Sequence, residues 1–239
     1  MSHGIYTATA GAVARQNHMD VVANNLANSN TSGYRRMRVS FEEVLTRATS
    51  DQRHIVAVSQ GSLSNEQGPM INTDNPMDLA IQGDGFFLVE DKGQNLGLVR
   101  SLSAHIDSYG RMVDSRNRVI LSRSGGPIEI DPTKSVEISA AGEVMQGNRV
   151  VDLVSLVNVP EPRFLEPASH GTYRPSATSG ELYSVAGDVV SGSLEGSNVQ
   201  PVQSMVELIQ LQRDFESLMK GIKSFREADE RLTQAIQGG

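Results

Sequence analysis

Apolar side chains recur at alternating spacings of three and four residues near the start of the chain. This N-terminal seam comprises Ile5, Ala8, Ala12, Arg15, Met19, Val22 and Leu26. No proline interrupts it, and it ends in residues 28–33, where asparagine and glycine favour turns and left-handed backbone conformations. The pattern predicts one N-terminal helix with a seam of the coiled-coil type.

The C-terminal segment has the same alternation. Its seam comprises Met205, Leu208, Gln212, Phe215, Met219, Ile222, Arg226 and Asp229. Further apolar residues widen this face, namely Val202, Val206, Ile209, Leu232 and Ile236. Asn198 is predicted to cap the helix, and Pro201 suits its first turn. We expect these two long helices to pack on each other and on neighbouring copies of the chain.

The middle of the chain changes to short apolar runs separated by turn residues, which is typical of β-strands. Strands are predicted at Asp78–Gln82, Phe86–Glu90 and residues 118–121, 127–130, 136–138, 143–145 and 151–157. Between the first two strands, Gly83-Asp84-Gly85 predicts a hairpin turn. Residues 46–76 and 164–192 are polar and are interpreted as connecting arms.

These patterns together predict an α+β protein. Its N- and C-terminal helices form a coiled-coil-like terminal domain, and a central domain is made mainly of short β-strands. The expected segments are an N-terminal helix at residues 1–33, a connecting arm at 34–75, a β-rich domain at 76–190 and a C-terminal helix at 191–239.

The composition narrows the classes of function. Hydrophobic residues make up 38% of the chain and aromatic residues 5%, which indicates a modest core that relies on partners for further burial. The net charge of −7 argues against a nucleic-acid-binding protein. The absence of cysteine excludes disulfides, thiol catalysis and zinc–thiolate sites. No apolar run is long enough to span a membrane, and residues 1–6 do not resemble a cleavable signal.

No catalytic, cofactor-binding or metal-binding residue is predicted. The five histidines are scattered without the spacing of a metal site, and are interpreted as surface or structurally satisfied side chains. Sequences of the GxSxG, Walker and GxGxxG types are absent. The acid pairs Glu42-Glu43 and Asp229-Glu230 fall in predicted helices and are interpreted as solvated faces.

Three asparagines, Asn24, Asn25 and Asn28, cluster at the end of the predicted N-terminal helix. Asparagine is unfavourable there because its side chain competes for backbone hydrogen bonds. One interpretation is a fraying helix end. The other is that these amides satisfy polar groups across a crowded helix junction and fix its register. The residues alone leave both interpretations open.

Residues 23–36, A-N-N-L-A-N-S-N-T-S-G-Y-R-R, resemble the pattern A-N-N-L-A-N-x-x-T-x-G-[FY]-[KR]-[KR] of the flagellar rod and hook (axial) protein family. Residues 75–87 are similar to the central block of that family. Residues 192–199, with Leu208-Ile209 and residues 212–216, are similar to its C-terminal block. Residues 99–105 depart from the usual Y-T-R-x-G-x-F motif, because its aromatics and glycine are missing.

The resemblance implies a structural subunit of the bacterial flagellar basal-body rod. Such a subunit polymerises through paired terminal helices and transmits torque from motor to hook. It is made in the cytoplasm, exported unfolded by the flagellar type III apparatus without a cleaved signal, and assembled in the periplasmic rod. Its implied partners are copies of itself and other rod proteins, proximal and distal, with no cofactor, nucleic acid or direct membrane insertion.

Within the family, the length of the chain favours the F type of the proximal rod. Residues 40–45 resemble the G type of the distal rod, which is the alternative. The residues expected to carry assembly and packing are Ile5, Met19, Val22, Asn24, Asn25, Leu26, Ala27, Asn28, Thr31, Gly33, Leu194, Glu195, Ser197, Asn198, Val199, Met205, Leu208, Phe215, Met219 and Ile222. We expect the terminal helices to become ordered only among neighbouring subunits.

Two other classes of protein are alternatives. A β-rich surface-binding module with helical ends would need exposed aromatic platforms, and the chain offers only five Tyr, six Phe and no Trp. A hydrolase of cell-wall glycan would need paired carboxylates, whose pairing is spatial and has no sequence signal here.

Overall fold

The computed structural model describes residues 2–39, 41–48, 51–58, 61–91 and 95–237. Within these residues the protein is α+β, with a mainly β centre between two long helices, as predicted. The helices are α1 (Ser2–Ala27) and α2 (Pro201–Gln237). The strands are β1 (Met37–Arg38), β2 (Phe41–Ala48), β3 (Asp51–Val58), β4 (Ser62–Leu63), β5 (Met70–Asn72), β6 (Asp78–Gln82), β7 (Phe86–Glu90), β8 (Leu96–Val99), β9 (Ser101–Ile106), β10 (Met112–Asp114), β11 (Val119–Ile120), β12 (Glu137–Ile138), β13 (Glu143–Gln146), β14 (Arg149–Leu153), β15 (Leu156–Asn158), β16 (Glu166–Pro167), β17 (Thr172–Arg174), β18 (Tyr183–Ser184), β19 (Asp188–Ser191) and β20 (Ser193–Glu195).

The chain folds into two compact units, each built from separate stretches of sequence. The helical unit comprises Met1–Ala27, Met37–Ser62 and Gln200–Gly239. The β body comprises Asn28–Arg36 and Leu63–Val199. Each unit therefore needs segments that lie far apart in the chain before it can close.

In the helical unit, α1 and α2 pack side by side and antiparallel. Arg15 Nη2 lies 3.6 Å from Asp214 Oδ2, and His18 Nε2 lies 3.1 Å from Glu207 Oε1. Rising residue numbers on α1 thus meet falling numbers on α2. Both contacts are partly exposed, so they contribute little to stability and chiefly report the direction of packing.

The buried seam of α2 differs from the predicted one. Its buried and half-buried positions alternate at spacings of four and three residues: Ser204, Leu208, Leu211, Phe215, Leu218 and Ile222. Leu208, Phe215 and Ile222 were predicted, whereas Met205 and Met219 are 50% and 47% exposed and lie outside the seam. Leu211 replaces the predicted Gln212 in the seam because its apolar side chain gains from burial. The amide of Gln212 stays in water, where it needs no hydrogen-bond partner from the protein.

The start of α2 also corrects a prediction. Pro201 occupies the first helical position, where its missing N–H is tolerated, as expected. Asn198 is not the cap, because the helix begins after Gln200, whose carbonyl accepts a hydrogen bond from Ser204 N at 3.0 Å. The side chain of Asn198 instead binds backbone groups of the β body.

A two-stranded hairpin follows α1 in the helical unit. β2 pairs with β3 in an unbroken antiparallel register from Phe41↔Val58 to Ala48↔Asp51. Glu42 and Glu43, predicted in a helix, therefore lie in a strand, because the opposite run of β-branched residues favours sheet pairing. Part of the expected arm at residues 46–76 is likewise β-structure.

The β body is organised around one antiparallel sheet. Its strand order is β16-β17-β8-β7-β11-β10-β9-β6-β19, with β15 pairing β7 and β18. β12, β13 and β14 form a separate three-stranded sheet, and β5 pairs with β20. Residues 164–192, expected as a connecting arm, instead supply β16 to β19. Their polar residues lie at strand ends and edges, so composition concealed the strands.

One contiguous cluster of buried side chains forms the core of the β body. It includes Leu79 and Ile81 of β6, Phe87 and Val89 of β7, and Met112 of β10, all with no exposed surface. The segment that departs from the Y-T-R-x-G-x-F motif also packs well. Val99, Leu102 and Ala104 are buried, so the segment contributes to the core without the aromatics of the motif.

The predicted hairpin at Gly83-Asp84-Gly85 is wrong. β6 pairs with β9 and β19, whereas β7 pairs with β8, β11 and β15. Gly83 and Gly85 have φ angles of 90° and 117°, which turn the chain without closing a ladder. The carbonyl groups of Gly83 and Gly85 accept hydrogen bonds from the side chain of Arg100. These bonds take the place of the cross-strand bonds of a hairpin.

Two further strand predictions change in detail. Residues 151–157 form parts of two strands, because the chain leaves β14 at Leu153 and re-enters the main sheet at β15. Residues 127–130 form no named strand and make isolated bridges at Pro127 and Glu129. Ile128 and Ile130 are nevertheless buried, and their backbones bond to Met112 and Gly110.

Candidate functional site

Asn25, near the end of α1, binds the backbone of Met37 with both polar atoms of its side-chain amide. Its Oδ1 accepts a hydrogen bond from Met37 N at 2.9 Å, and its Nδ2 donates to Met37 O at 2.8 Å. The side chain is buried, and its amide acts as a neighbouring strand would. For Asn25 this geometry agrees with the second interpretation above, that the amide fixes a junction. Asn24 and Ala27 are exposed at the surface.

The turn after α1 explains why threonine and glycine stand at positions 31 and 33 of the family pattern at residues 23–36. Thr31 N donates to Asn28 O at 3.1 Å, and Thr31 Oγ1 donates to Asn28 Oδ1 at 3.2 Å. Gly33 has a φ of 72°, and a Cβ there would lie 3.2 Å from Ser101 N. Glycine is therefore required both by the backbone conformation and by the close approach of β9.

The residues after Gly33 are bound to the C-terminal block of the sequence. Gly33 N donates to Glu195 O at 2.7 Å, and Arg36 N donates to Asn198 Oδ1 at 2.6 Å. Asn198 N donates in turn to Tyr34 O at 3.3 Å. We call residues 33–36 and 195–198 the terminal clamp. Both segments of the terminal clamp belong to the β body.

Asn198 ties a third segment to the terminal clamp. While its Oδ1 accepts from Arg36, its Nδ2 donates to Glu66 O at 2.7 Å. Arg36 O accepts from Ser64 N at 2.8 Å. The side chain of Asn198 therefore accepts from a residue 162 positions away and donates to one 132 positions away.

Tyr173 closes the clamp from the main sheet. Its hydroxyl accepts a hydrogen bond from Arg35 N at 2.6 Å and donates to Gly33 O at 3.1 Å. The ring is fully buried and meets Phe86 edge to face, with 5.9 Å between ring centroids. Burial raises the pKa of Tyr173, and it raises the pKa of Tyr34 to about 12. Both phenols therefore remain neutral donors in the folded protein.

The buried carboxylate of Glu195 is the electrostatic centre of the site. Its Oε2 accepts from Arg100 Nε at 2.9 Å and lies 2.8 Å from Arg100 Nη2. Its Oε1 accepts from Gly68 N at 3.2 Å, and Arg35 Nε lies 3.8 Å away. Neither Glu195 nor Arg100 has any exposed surface. Glu195 was predicted as a packing residue, but its charge pairing was not.

Arg100 holds the turn between β6 and β7 through hydrogen bonds to backbone carbonyl groups. Its Nη2 donates to Ile81 O at 2.9 Å and to Gly83 O at 2.7 Å, and its Nη1 donates to Gly85 O. The guanidinium also lies 5.7 Å from the centroid of the Phe86 ring. Sequence reasoning missed this residue, although a lone arginine between two apolar strands signals a buried partner.

Arg35 gives the site a second buried cation. Its side chain is 3% exposed, its Nε finds no hydrogen-bond acceptor among the described residues, and its guanidinium lies 5.8 Å from the Phe86 centroid. Burial and the nearby charge of Arg100 lower the pKa of Arg35, and Glu195 partly offsets that effect. One buried carboxylate thus faces two guanidiniums, and Asp84 adds a smaller effect on Arg35, so the charge balance depends mainly on Glu195.

The remaining predicted packing residues divide between the two units. In the helical unit, Val22 and Ile222 are buried, while Ile5, Met19, Leu26, Leu208 and Phe215 are half-buried. In the β body, Leu194 pairs with Ile71 across β20 and β5, Val199 is buried and Ser197 Oγ accepts from Val199 N at 3.2 Å. Tyr173, Arg100 and Gly68 are functional candidates that the sequence did not reveal.

The described residues contain no group of three or more His, Asp or Glu side chains that could hold a metal ion. Neither described helix has the length and apolar character needed to cross a membrane. The polar groups of the terminal clamp mostly bind one another or backbone groups. Such an arrangement holds chain segments together and offers no free nucleophile or base.

Comparison with protein families places three matches along the chain. Residues 5–35 match the family described as flagella basal body rod protein, residues 80–146 match the flagellar hook protein FlgE/F/G D1 domain, and residues 190–235 match the flagellar basal body rod FlgEFG protein C-terminal family. The terminal clamp joins the ends of the first and third matches.

Individual proteins are similar over nearly the whole chain. Flagellar basal-body rod protein FlgF of Salmonella typhimurium is 31% identical, with 99% of each chain covered. FlgF of Mesorhizobium japonicum is 30% identical, covering 91% of this chain and 90% of its own length. Flagellar basal-body rod protein FlgG of Bacillus subtilis is 27% identical, covering 99% of this chain and 98% of its own.

Proposed function

Because the chain belongs to the flagellar basal-body rod protein family, and is a structural subunit rather than an enzyme, we propose that it polymerises in the proximal rod through coiled-coil-like pairing of its terminal helices. It is a component of the flagellar basal body and assembles with other rod proteins. The proximal assignment is supported by its likeness to FlgF proteins, at 31% identity for the Salmonella protein against 27% for FlgG of Bacillus.

The observation that carries this proposal is the exposed apolar face of α2. Four of its large apolar side chains recur at spacings of three and four residues on one face and are 50–75% exposed: Val202, Met205, Val206 and Ile209. Met219 and Phe225 are 47% and 48% exposed but lie outside that face. A helix whose seam is already satisfied by α1 has no intramolecular use for them. Their burial needs other subunits. Met205 and Met219, which lie outside the seam with α1, take this role of contacting neighbours.

Contacts of this kind suit a filament. A subunit that docks through this face of α2 onto a different surface of its neighbour makes a heterologous contact, which need not close on itself. Growth can then continue along a helical path. The same exposed face favours delivery in the unfolded state, since folded subunits would associate before export.

We further propose that the chain reaches the periplasmic rod through the flagellar type III export apparatus, and that the terminal clamp carries torque. The chain passes between the β body and the helical unit four times, after Ala27, Arg36, Ser62 and Val199. The connections after Arg36 and Val199 lie next to the clamp. Hydrogen bonds join the two segments of the terminal clamp, and the buried Arg100–Glu195 ion pair supports them. A force on one connection is therefore shared by the other.

The test compares two single substitutions on α2 in cells that lack the wild-type gene. Ile209→Asp places a charge on the exposed apolar face, and Gln203→Asp places the same charge at an exposed polar position. We expect Ile209→Asp to abolish incorporation into isolated basal bodies and to stop swimming, while Gln203→Asp supports both. Circular dichroism of the purified chains should be the same. Normal rods with Ile209→Asp would refute the proposal.

A further inference from the structure

A cavity of about 260 Å³ lies in the β body, beside the terminal clamp. Arg35 of the clamp forms part of its lining, and so does Phe86. Further apolar lining comes from Val159, Pro160, Pro162 and Tyr183. The volume is below the range of roughly 300–1,000 Å³ found for most ligand sites, so the cavity suits a small chemical group.

The guanidinium of Arg35 is the feature of this cavity that calls for a ligand. A guanidinium carries five N–H donors and accepts no hydrogen bond. Among the described residues, Arg35 makes one ion pair, with 3.8 Å between its Nε and Glu195 Oε1, and this Nε is buried without a hydrogen-bond acceptor. Because the side chain is only 3% exposed, water satisfies little of it. An acceptor from outside the chain would relieve the cost of these buried donors.

Arg100, the other buried guanidinium, is satisfied within the chain. Its Nε and Nη2 pair with Glu195 at 2.9 and 2.8 Å, and its Nη1 and Nη2 bind carbonyl oxygens at the turn between β6 and β7. Glu195 is thus engaged chiefly by Arg100. Burial and the charge of Arg100 lower the pKa of Arg35, and of the groups that oppose this effect the exposed Asp84 has the smallest influence. Positive charge is therefore in excess beside the cavity.

These features favour a carboxylate over other ligands. The excess of positive charge disfavours cations, whereas the two oxygens of a carboxylate match two N–H groups of a guanidinium side by side. Phosphate matches them too, but its second negative charge is opposed by Asp84, which also lines the cavity. Phosphate also has no apolar part to cover the lining. A carboxylate on a short aliphatic stem meets both requirements.

We propose that this cavity binds a carboxylate group on a short aliphatic stem. The carboxylate oxygens accept hydrogen bonds from the guanidinium of Arg35, and the stem lies against Phe86 and the two prolines. Two sources supply such a group, a free small acid and the side chain of a glutamate on a neighbouring protein. The inference rests on the cavity alone and holds whether or not the chain belongs to the proximal rod.

The test measures binding of propionate to the full chain by saturation-transfer NMR. Propionamide is the uncharged counterpart and inorganic phosphate is a second anion, all at one ionic strength. We expect saturable binding of propionate, and roughly tenfold weaker binding of the other two, because propionamide lacks the charge and phosphate lacks the stem. Equal affinities for propionate and phosphate would overturn the carboxylate chemistry, and a lack of propionate binding would overturn the proposal as a whole.

Two arginine substitutions locate the binding. Arg35→Met should weaken propionate binding roughly tenfold, because it removes the charge-assisted hydrogen bonds. Arg149→Met removes the same charge from an exposed position of β14 and should stay within about twofold of wild type. Thermal unfolding establishes that both variants fold. If they weaken binding equally, only net charge matters and the proposal is wrong.

Asn65 allows a test that leaves the buried groups in place. It is exposed and lines the cavity. Asn65→Asp adds a negative charge beside the guanidinium and should weaken propionate binding several-fold, whereas Asn65→Ala should have almost no effect. An unchanged affinity in Asn65→Asp would contradict the placement of the ligand in this cavity.

The two sources are distinguished with the capped tripeptides acetyl-Gly-Glu-Gly-amide and acetyl-Gly-Gln-Gly-amide as competitors of propionate. Competition by the glutamate peptide alone identifies a protein side chain as a ligand that fits. If propionate binds and neither peptide competes, the cavity takes a free small acid. Competition by both peptides would show that the carboxylate is not the group recognised, against the proposal.

Discussion

Arg100 meets one carboxylate oxygen of Glu195 with two of its nitrogens, at 2.9 and 2.8 Å, and solvent reaches neither side chain. The two residues are 95 positions apart. Their pairing therefore joins the middle of the β body to the last strand before α2. Because both ions are buried, their mutual attraction is largely offset by the cost of removing them from water, whereas the loss of one partner leaves the other as an uncompensated buried charge.

Glu195→Gln should destabilise the β body strongly. The substitution keeps the shape of the side chain but leaves Arg100 and Arg35 buried without a counter-charge. We expect a loss of about 3 kcal/mol or more in the free energy of unfolding, measured by urea titration. Glu166→Gln, at an exposed position, is the control and should change it by less than about 0.5 kcal/mol. Equal effects from the two substitutions would contradict the proposed charge balance.

Gly68→Ala should prevent the segment before β5 from approaching the C-terminal block. A Cβ at Gly68 would lie 1.9 Å from Gly196 O, so the backbone has to move. That movement also weakens the hydrogen bond from Gly68 N to Glu195. We expect a loss of about 2 kcal/mol or more by urea unfolding. Gly126→Ala meets no atom within 4 Å and should be nearly neutral; a neutral Gly68→Ala would disprove the close contact.

The protein should lose stability at alkaline pH through Tyr34. Burial raises its pKa from 10.0 to about 12, so the folded state holds the phenol proton more tightly than the unfolded state does. The stabilising contribution is complete below pH 10 and is lost as pH rises towards 12. Urea midpoints measured from pH 8 to pH 12 should fall less steeply in Tyr34→Phe. Parallel curves for the two proteins would exclude Tyr34 as a cause.

The corrected seam of α2 can be tested with two neighbouring residues. Leu211 is buried and Gln212 is exposed, although the predicted seam contained Gln212. Leu211→Ala should lower the stability of the helical unit by about 2–3 kcal/mol, whereas Gln212→Ala should have almost no effect. Thermal unfolding followed at 222 nm measures both. A larger loss for Gln212→Ala would restore the predicted seam.

The terminal helices should be less protected than the β body in a dilute monomer. The apolar face of α2 lacks partners there, and helices separated from their packing surfaces are marginal in water. Hydrogen exchange should therefore be faster in α1 and α2 than in β6, β7 and β9. Assembled rods should slow exchange in the helices alone. Slow exchange of both helices in the monomer would show that they are self-sufficient.

Sequence reasoning identified what depends on local patterns. The recurrence of apolar residues at spacings of three and four predicted both helices, and the apolar run at Phe86–Glu90 predicted β7. The pattern could not choose between Leu211 and Gln212, because both fit the alternation and only the partner helix decides. The hairpin at residues 83–85 failed for a related reason. The side chain that holds this turn comes from Arg100, outside the local segment.

The clamp was recognisable only in part. Gly33, Glu195 and Asn198 stood out through their resemblance to family blocks, but nothing in either block tells that Asn198 binds Arg36 rather than capping α2. Tyr173 was hidden in a polar segment interpreted as an arm. Its burial depends on the sheet around it, which no stretch of neighbouring residues encodes.

The bond between Arg36 and Asn198 spans 162 positions, which has a consequence for the proposed export of the chain. A polypeptide being threaded through a narrow conduit, whichever end leads, cannot close its β body until all of residues 36–198 stand on one side. Synthesis imposes the same condition, since residue 198 must leave the ribosome before it can meet Arg36. Until the β body closes, the unfolded chain stays narrow enough to pass through such a conduit.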